Sequence, residues 1–151
     1  MKINLAALLI AGAAQAGEAP VLELKLAVKD KGGHPVAQVS LANRTPHPVK
    51  VLHALADEQE MYGKLFELRD AATGEPLEYQ GIMVKRGPLT DEDYLTLAPG
   101  ARRRNSIDLA RAYAFKTGKH AYTISYHGHY LQEGKEMPLT VGPVRFEHTG
   151  R

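Results

Sequence analysis

A chain of 151 residues with 44% hydrophobic and 24% charged side chains has the composition of one globular domain, and two full domains do not fit in it. It contains no cysteine, which excludes a disulfide scaffold, a thiolate metal site and a cysteine nucleophile. The 19 basic and 17 acidic residues leave a net charge of +2, too even for a nucleic-acid footprint or a polybasic membrane anchor.

The N-terminus predicts export. Lys2 supplies a positive start, Ile3 to Ala14 is a nearly unbroken apolar run, and Ala14-Gln15-Ala16 has the small-x-small form that signal peptidase cuts. Residues 1–16 therefore read as a signal peptide and 17–151 as the mature domain, expected to be soluble in the periplasm or secreted. The apolar run is too short to span a bilayer, and no later segment approaches the needed length of about 20 residues.

From Val21 the pattern has period two. Leu22, Leu24, Leu26 and Val28 alternate with Glu23, Lys25 and Ala27, which places the leucines on the buried face of a strand. A turn over Lys29 to Pro35 precedes a second strand through Ala37, Val39 and Leu41, and the break at Asn43 to Pro48 precedes a third over Val49 to His53. Ala54 to Lys64 is acidic and helix-tolerant, open to one or two helical turns or a loop, with the loop preferred. Further strands are predicted over Leu65 to Arg69, Glu78 to Val84, Ala101 to Leu109, His120 to Tyr126 and Leu139 to Phe146. Between them, Asp108 is placed to cap a short turn that sends Tyr113 and Phe115 inward and ends at Gly118. The polar tail Glu147 to Arg151 is expected to fray. Short strands separated by turn signals every dozen residues predict an all-β, immunoglobulin-like antiparallel sandwich of seven to eight strands.

The chemistry begins with absences. There is no His-Glu-x-x-His pair, no Gly-x-Ser-x-Gly elbow and no phosphate-cradling Gly-rich loop. His127-Gly128-His129 puts two imidazoles on one strand face, yet a metal site needs further ligands, so an exposed hairpin end is the favoured reading. Asp57-Glu58-Gln59-Glu60 and Asp91-Glu92-Asp93 read as solvated loop acids rather than a catalytic pair. Arg102-Arg103-Arg104 suits an exposed strand edge protected by charge, with Arg102 and Arg104 on one face and Arg103 on the other. No cofactor or metal is expected.

The most specific stretch runs from Tyr79 to Gly100. Pro99-Gly100 is a turn, Gly81 and Gly87 suit positive φ or close backbone approach, and Leu95 and Leu97 share an inward face. Tyr79, Tyr94, Tyr113 and Tyr122 are placed to bury their rings while each hydroxyl caps a backbone group. Lys85 and Arg86, bracketed by Val84 and Gly87-Pro88, either pair with Asp91 or Asp93 or meet an acidic partner; the internal role is the favoured one.

Several motifs recur together in one order: Leu65-Phe66-Glu67, Tyr79 to Gly87, Asp93 to Gly100, Asp108-Leu109 with Tyr113, and Tyr122 to Tyr126. Together with Leu41 to Thr45 and Val49 to Leu52, this arrangement resembles the N-terminal, non-catalytic β domain of secreted peptidyl-lysine metalloendopeptidases of the deuterolysin, or aspzincin, type. The resemblance covers about Leu22 to Tyr126. It departs from the family pattern at His53 and the longer acidic loop through Lys64, where a tryptophan and a short proline-containing loop are usual. The zinc-binding helix and downstream aspartate of the family's protease domain have no counterpart in the sequence, so no enzyme activity is expected. The resemblance implies an exported protein-binding module, acting as protease inhibitor or folding helper on a periplasmic or extracellular metalloprotease, with Lys85, Arg86 and Tyr94 as partner-binding candidates. A domain that recognises an envelope glycan or small ligand is the alternative, and a protease-related role by family name alone the third.

Overall fold

The computed structural model describes residues 20–151, and the predicted export signal with its cut before Gly17 lies outside the described residues. Eight strands form two antiparallel sheets. The first orders β1 (Leu22–Lys31), β2 (His34–Asn43) and β6 (Arg102–Asp108) side by side. In the second, β7 (Gly118–Gln132) is central, and β8 (Lys135–Gly150) follows it along one side. Strands β3 (Val49–Leu52) and β4 (Glu67–Asp70) share its other side, and β5 (Tyr94–Leu97) lies outside β3. The expected antiparallel sandwich is therefore present, with eight strands.

The core follows from the alternation. Leu22, Leu26, Ala37, Val39, Leu41 and Ile107 of the first sheet share one buried cluster with Val49, Val51, Leu68, Tyr122, Ile124 and Tyr126 of the second. Alternate residues of each strand point the same way, so two half-apolar sheets bury their apolar halves against each other. His148 of β8, itself buried, places Nδ1 3.0 Å from the Asp30 carboxylate of β1 and ties the sheets together across 118 residues of chain.

Four expectations need correction. Glu78 to Val84 is not a strand: it makes one isolated bridge, Tyr79 to Tyr113, and then leaves the sheets. Ile82, Met83 and Val84 are consecutive apolar residues, which a one-sided strand cannot bury on a single face. His127-Gly128-His129 is not a hairpin end, because β7 continues to Gln132 and the turn comes at Glu133-Gly134, both with positive φ. The tail does not fray; β8 runs to Gly150, with Phe146 and His148 buried on its inner side. Finally, Gly87 has negative φ and open space around it, so neither reason offered for a glycine there applies.

Several local readings hold. Asp108 Oδ1 accepts the Ala110 N–H at 2.9 Å, and Leu109, Ala112 and Tyr113 turn inward behind it. Gly100 has φ +79 in the predicted turn. The acidic segment forms one helical turn, α1 (His53–Ala56), and then a loop.

Candidate functional site

The segment that leaves the sheets is the most unusual surface of the domain, and its two ends are fastened before its middle is exposed. At the N-terminal end the Gln80 N–H donates to Ala112 O at 2.8 Å, while the Tyr79 hydroxyl donates to Ile82 O. Gly81 makes that second bond possible, since a Cβ there would sit 2.8 Å from the Tyr79 oxygen. The Val84 N–H then donates to Tyr62 O at 2.9 Å and holds the segment against the acidic loop. At the C-terminal end Asp93 accepts the Thr90 N–H at 2.7 Å and closes a capping box on the 3-10 turn Asp91–Asp93. Asp93 also receives Arg86 Nη1 at 3.4 Å, and Asp91 receives Lys50 Nζ at 3.1 Å.

Between these fastenings every residue from Ile82 to Glu92 is exposed. Ile82, Val84 and Leu89 are each about half exposed, Met83 is 71% exposed, and Tyr62 stands beside them. The chain here forms a ridge between two open grooves. One, of about 420 Å³, is lined by Met61, Tyr62, Leu65, Val84 and Leu89, with Arg86 and Glu92 also on its wall. The other, of about 760 Å³, lies on the Ile82 side and is lined by His34, Gln59, Glu60, Asp108 and Arg111.

The floor of this region is set by a residue that sequence reasoning missed. Asn105, buried on β6, donates through Nδ2 to Leu55 O at 3.1 Å and to Glu58 O at 2.7 Å, which fixes α1 and the start of the acidic loop on the first sheet. Arg103, on the same face as Asn105, reaches Asp57 at 3.6 Å, and Asp57 also bonds His53 Nδ1 at 3.0 Å. The arginine run is thus divided, with Arg103 used to hold the loop and Arg102 and Arg104 on the opposite face. The only advance signal for Asn105 was an amide at an inward position of a strand, which needs partners once buried. Asn43 is a second such residue: its amide donates to His47 O and Leu97 O and accepts from Thr45, bracing the corner before β3.

The tyrosines divide three to one. Tyr113 donates to Phe66 O at 2.6 Å and accepts the Phe66 N–H at 3.1 Å, Tyr122 accepts the Lys116 N–H, and Tyr79 bonds Ile82 O, so three hydroxyls cap backbone groups. Tyr94 instead bonds His129 Nε2 at 2.8 Å across the outer face of the second sheet. Its hydroxyl is raised above the ordinary tyrosine range, chiefly by burial and further by the Glu136, Asp93 and Asp91 carboxylates. The structure therefore joins Tyr94 to β7, and it joins Arg86 to Asp93, the residue before Tyr94. Lys85 has no ion-pair partner among the described residues.

His127 and His129 do share a face, but among the described residues no group of three histidine or carboxylate ligands gathers around them or elsewhere. Two His–carboxylate pairs border the grooves, His53–Asp57 and His34–Asp108, the latter at 3.2 Å. Among the described residues, neither imidazole has a hydroxyl among its hydrogen-bond partners. What the region presents chemically is an apolar ridge bearing the Lys85 ammonium and an Arg86 guanidinium paired with Asp93. No family model matches the chain, and no curated protein is similar to it in sequence.

Proposed function

We propose that the chain is an exported, non-catalytic protein-binding module, and that the ridge Ile82–Leu89 enters a cleft of its partner. The observation that carries this reading is the combination of exposed apolar side chains with a backbone fastened at both ends. A loop that merely connects strands gains nothing from holding Ile82, Met83, Val84 and Leu89 in water, whereas a pre-ordered loop loses less entropy when it docks. Each of these side chains is exposed enough to contribute on the order of 1 kcal/mol when a partner covers it. Arg86 serves the internal role through Asp93, and Lys85 is left to meet a carboxylate at the rim of the cleft. The sequence resemblance supports a periplasmic or extracellular metalloprotease as that partner, with inhibition or assistance in folding as the outcome.

The test is capture from the native secretome followed by titration of the captured protein. Val84→Ser combined with Leu89→Ser should weaken binding by about tenfold or more, as loss of central contacts does, and Lys85→Ala should weaken it less and in a salt-dependent way. All three positions are exposed, so melting temperatures should stay close to wild type. Unchanged affinity in the double variant would refute the ridge as the docking element.

A further inference from the structure

We propose that Met83 is an oxidation switch on the ridge, the position at which a peroxide or hypohalous acid turns the docking surface from apolar to polar. This switch rests on the ridge being a docking element. Two independent observations place it at Met83. The chain has no cysteine, so no thiol competes for an oxidant and the methionine thioethers are its most readily oxidised groups. The three methionines within the described residues also differ sharply in access: Met61 is 6% exposed, Met137 packs partly against the core, and Met83 is 71% exposed. Met83 stands between Ile82 and Val84, with its sulfur beside Gly63.

The step balances simply. The thioether sulfur attacks one peroxide oxygen and bonds to it as the O–O bond breaks, and the other oxygen leaves as hydroxide, which takes the proton from the sulfur-bound oxygen and becomes water. Sulfur gives up two electrons to become the sulfoxide, and the peroxide takes them. A flexible apolar side chain becomes a strongly dipolar one at the centre of the patch, where a dry partner cleft would have to desolvate it. Among the described residues, Met83 makes no hydrogen bond and stands outside the core, so the domain keeps its structure while its ridge loses its apolar character.

Hydrogen peroxide is the probe, and trypsin separates the three sites. Met61 falls in the peptide Val51–Lys64, Met83 in Asp70–Lys85 and Met137 in Glu136–Arg145. The Met83 peptide should gain one oxygen at least about tenfold faster than the other two. Oxidised wild type should then elute earlier from a hydrophobic-interaction column, with its melting temperature unchanged, while Met83→Leu should show no peroxide-dependent shift. Equal oxidation rates at the three sites, or unchanged retention once Met83 is fully oxidised, would overturn the switch. Untreated Val84→Ser eluting like untreated wild type would remove the docking ridge itself, and the switch with it, independently of the peptide masses.

Discussion

Replacing Tyr113 by phenylalanine deletes a single oxygen from a side chain that is 1% exposed, and that oxygen serves two backbone groups of one residue. The hydroxyl donates to Phe66 O at 2.6 Å and accepts the Phe66 N–H at 3.1 Å, so Phe66, the residue before β4, has its polar groups satisfied by a side chain 47 positions away. Tyr113→Phe keeps the ring, including its edge contact with Tyr79 at 5.5 Å, and leaves both Phe66 groups buried without a partner. Each unsatisfied buried group costs about 1–3 kcal/mol, and partial relaxation brings the pair to about 2–4 kcal/mol. For a domain of this size that corresponds to a fall in melting temperature of about 6–15 °C. The assay is urea unfolding followed by circular dichroism, with exposed Tyr62→Phe as a control expected to stay within about 0.5 kcal/mol. A loss below about 0.5 kcal/mol for Tyr113→Phe would refute the reasoning, because it would mean that Phe66 finds other partners at no cost.

Asp70, buried at the end of β4, accepts Lys116 Nζ at 2.7 Å and the N–H groups of Ala72 and Thr73. These bonds, the lysine first, hold its carboxyl below the usual aspartate range. A depressed folded-state value contributes stability that is present above the unfolded value near pH 4 and is lost as the pH falls through the folded one. Asp70→Asn should therefore be less stable than wild type at pH 7, and the gap should narrow as the pH falls below about 4; a constant gap in denaturant titrations would count against the ion pair as its source. Gly128 lies against the Tyr126 ring, and a Cβ there would collide with the tyrosine oxygen. Gly128→Ala should cost about 1–3 kcal/mol by displacing that buried ring, and near-neutral calorimetry would show that the ring has room to move.

Much of the fold was legible because its signals are local. The alternation in β1 and β2, the glycine with positive φ after Pro99 and the carboxylate cap at Asp108 each depend on a few adjacent residues and on the chirality of the backbone. The ridge was half legible. Lys85 and Arg86 drew attention by composition, and the pairing of Arg86 with Asp93 followed the expected internal role. The exposure of Ile82, Met83 and Val84 did not, because three consecutive apolar residues look like a buried strand until the structure shows that no strand lies beside them.

What only the tertiary structure decided is where distant segments meet. Glu78 to Val84 reads as strand in isolation and is excluded from the sheets by the Tyr79 bridge and the fastening to Tyr62. The histidines at 127 and 129 read as loop and lie inside β7, because pairing with β8 extends the strand past Gly128. The polar tail reads as frayed and is ordered, because His148 finds Asp30 on the other sheet. By itself the sequence determined β1, β2 and the turns at Gly100 and Asp108, since hydrophobic period and turn chemistry act between neighbours in the chain, while Glu78 to Val84 reads as a strand and β5 does not. The structure determined which polar groups are satisfied and which apolar ones are left exposed, since hydrogen bonding and burial depend on partners that sequence distance does not reveal.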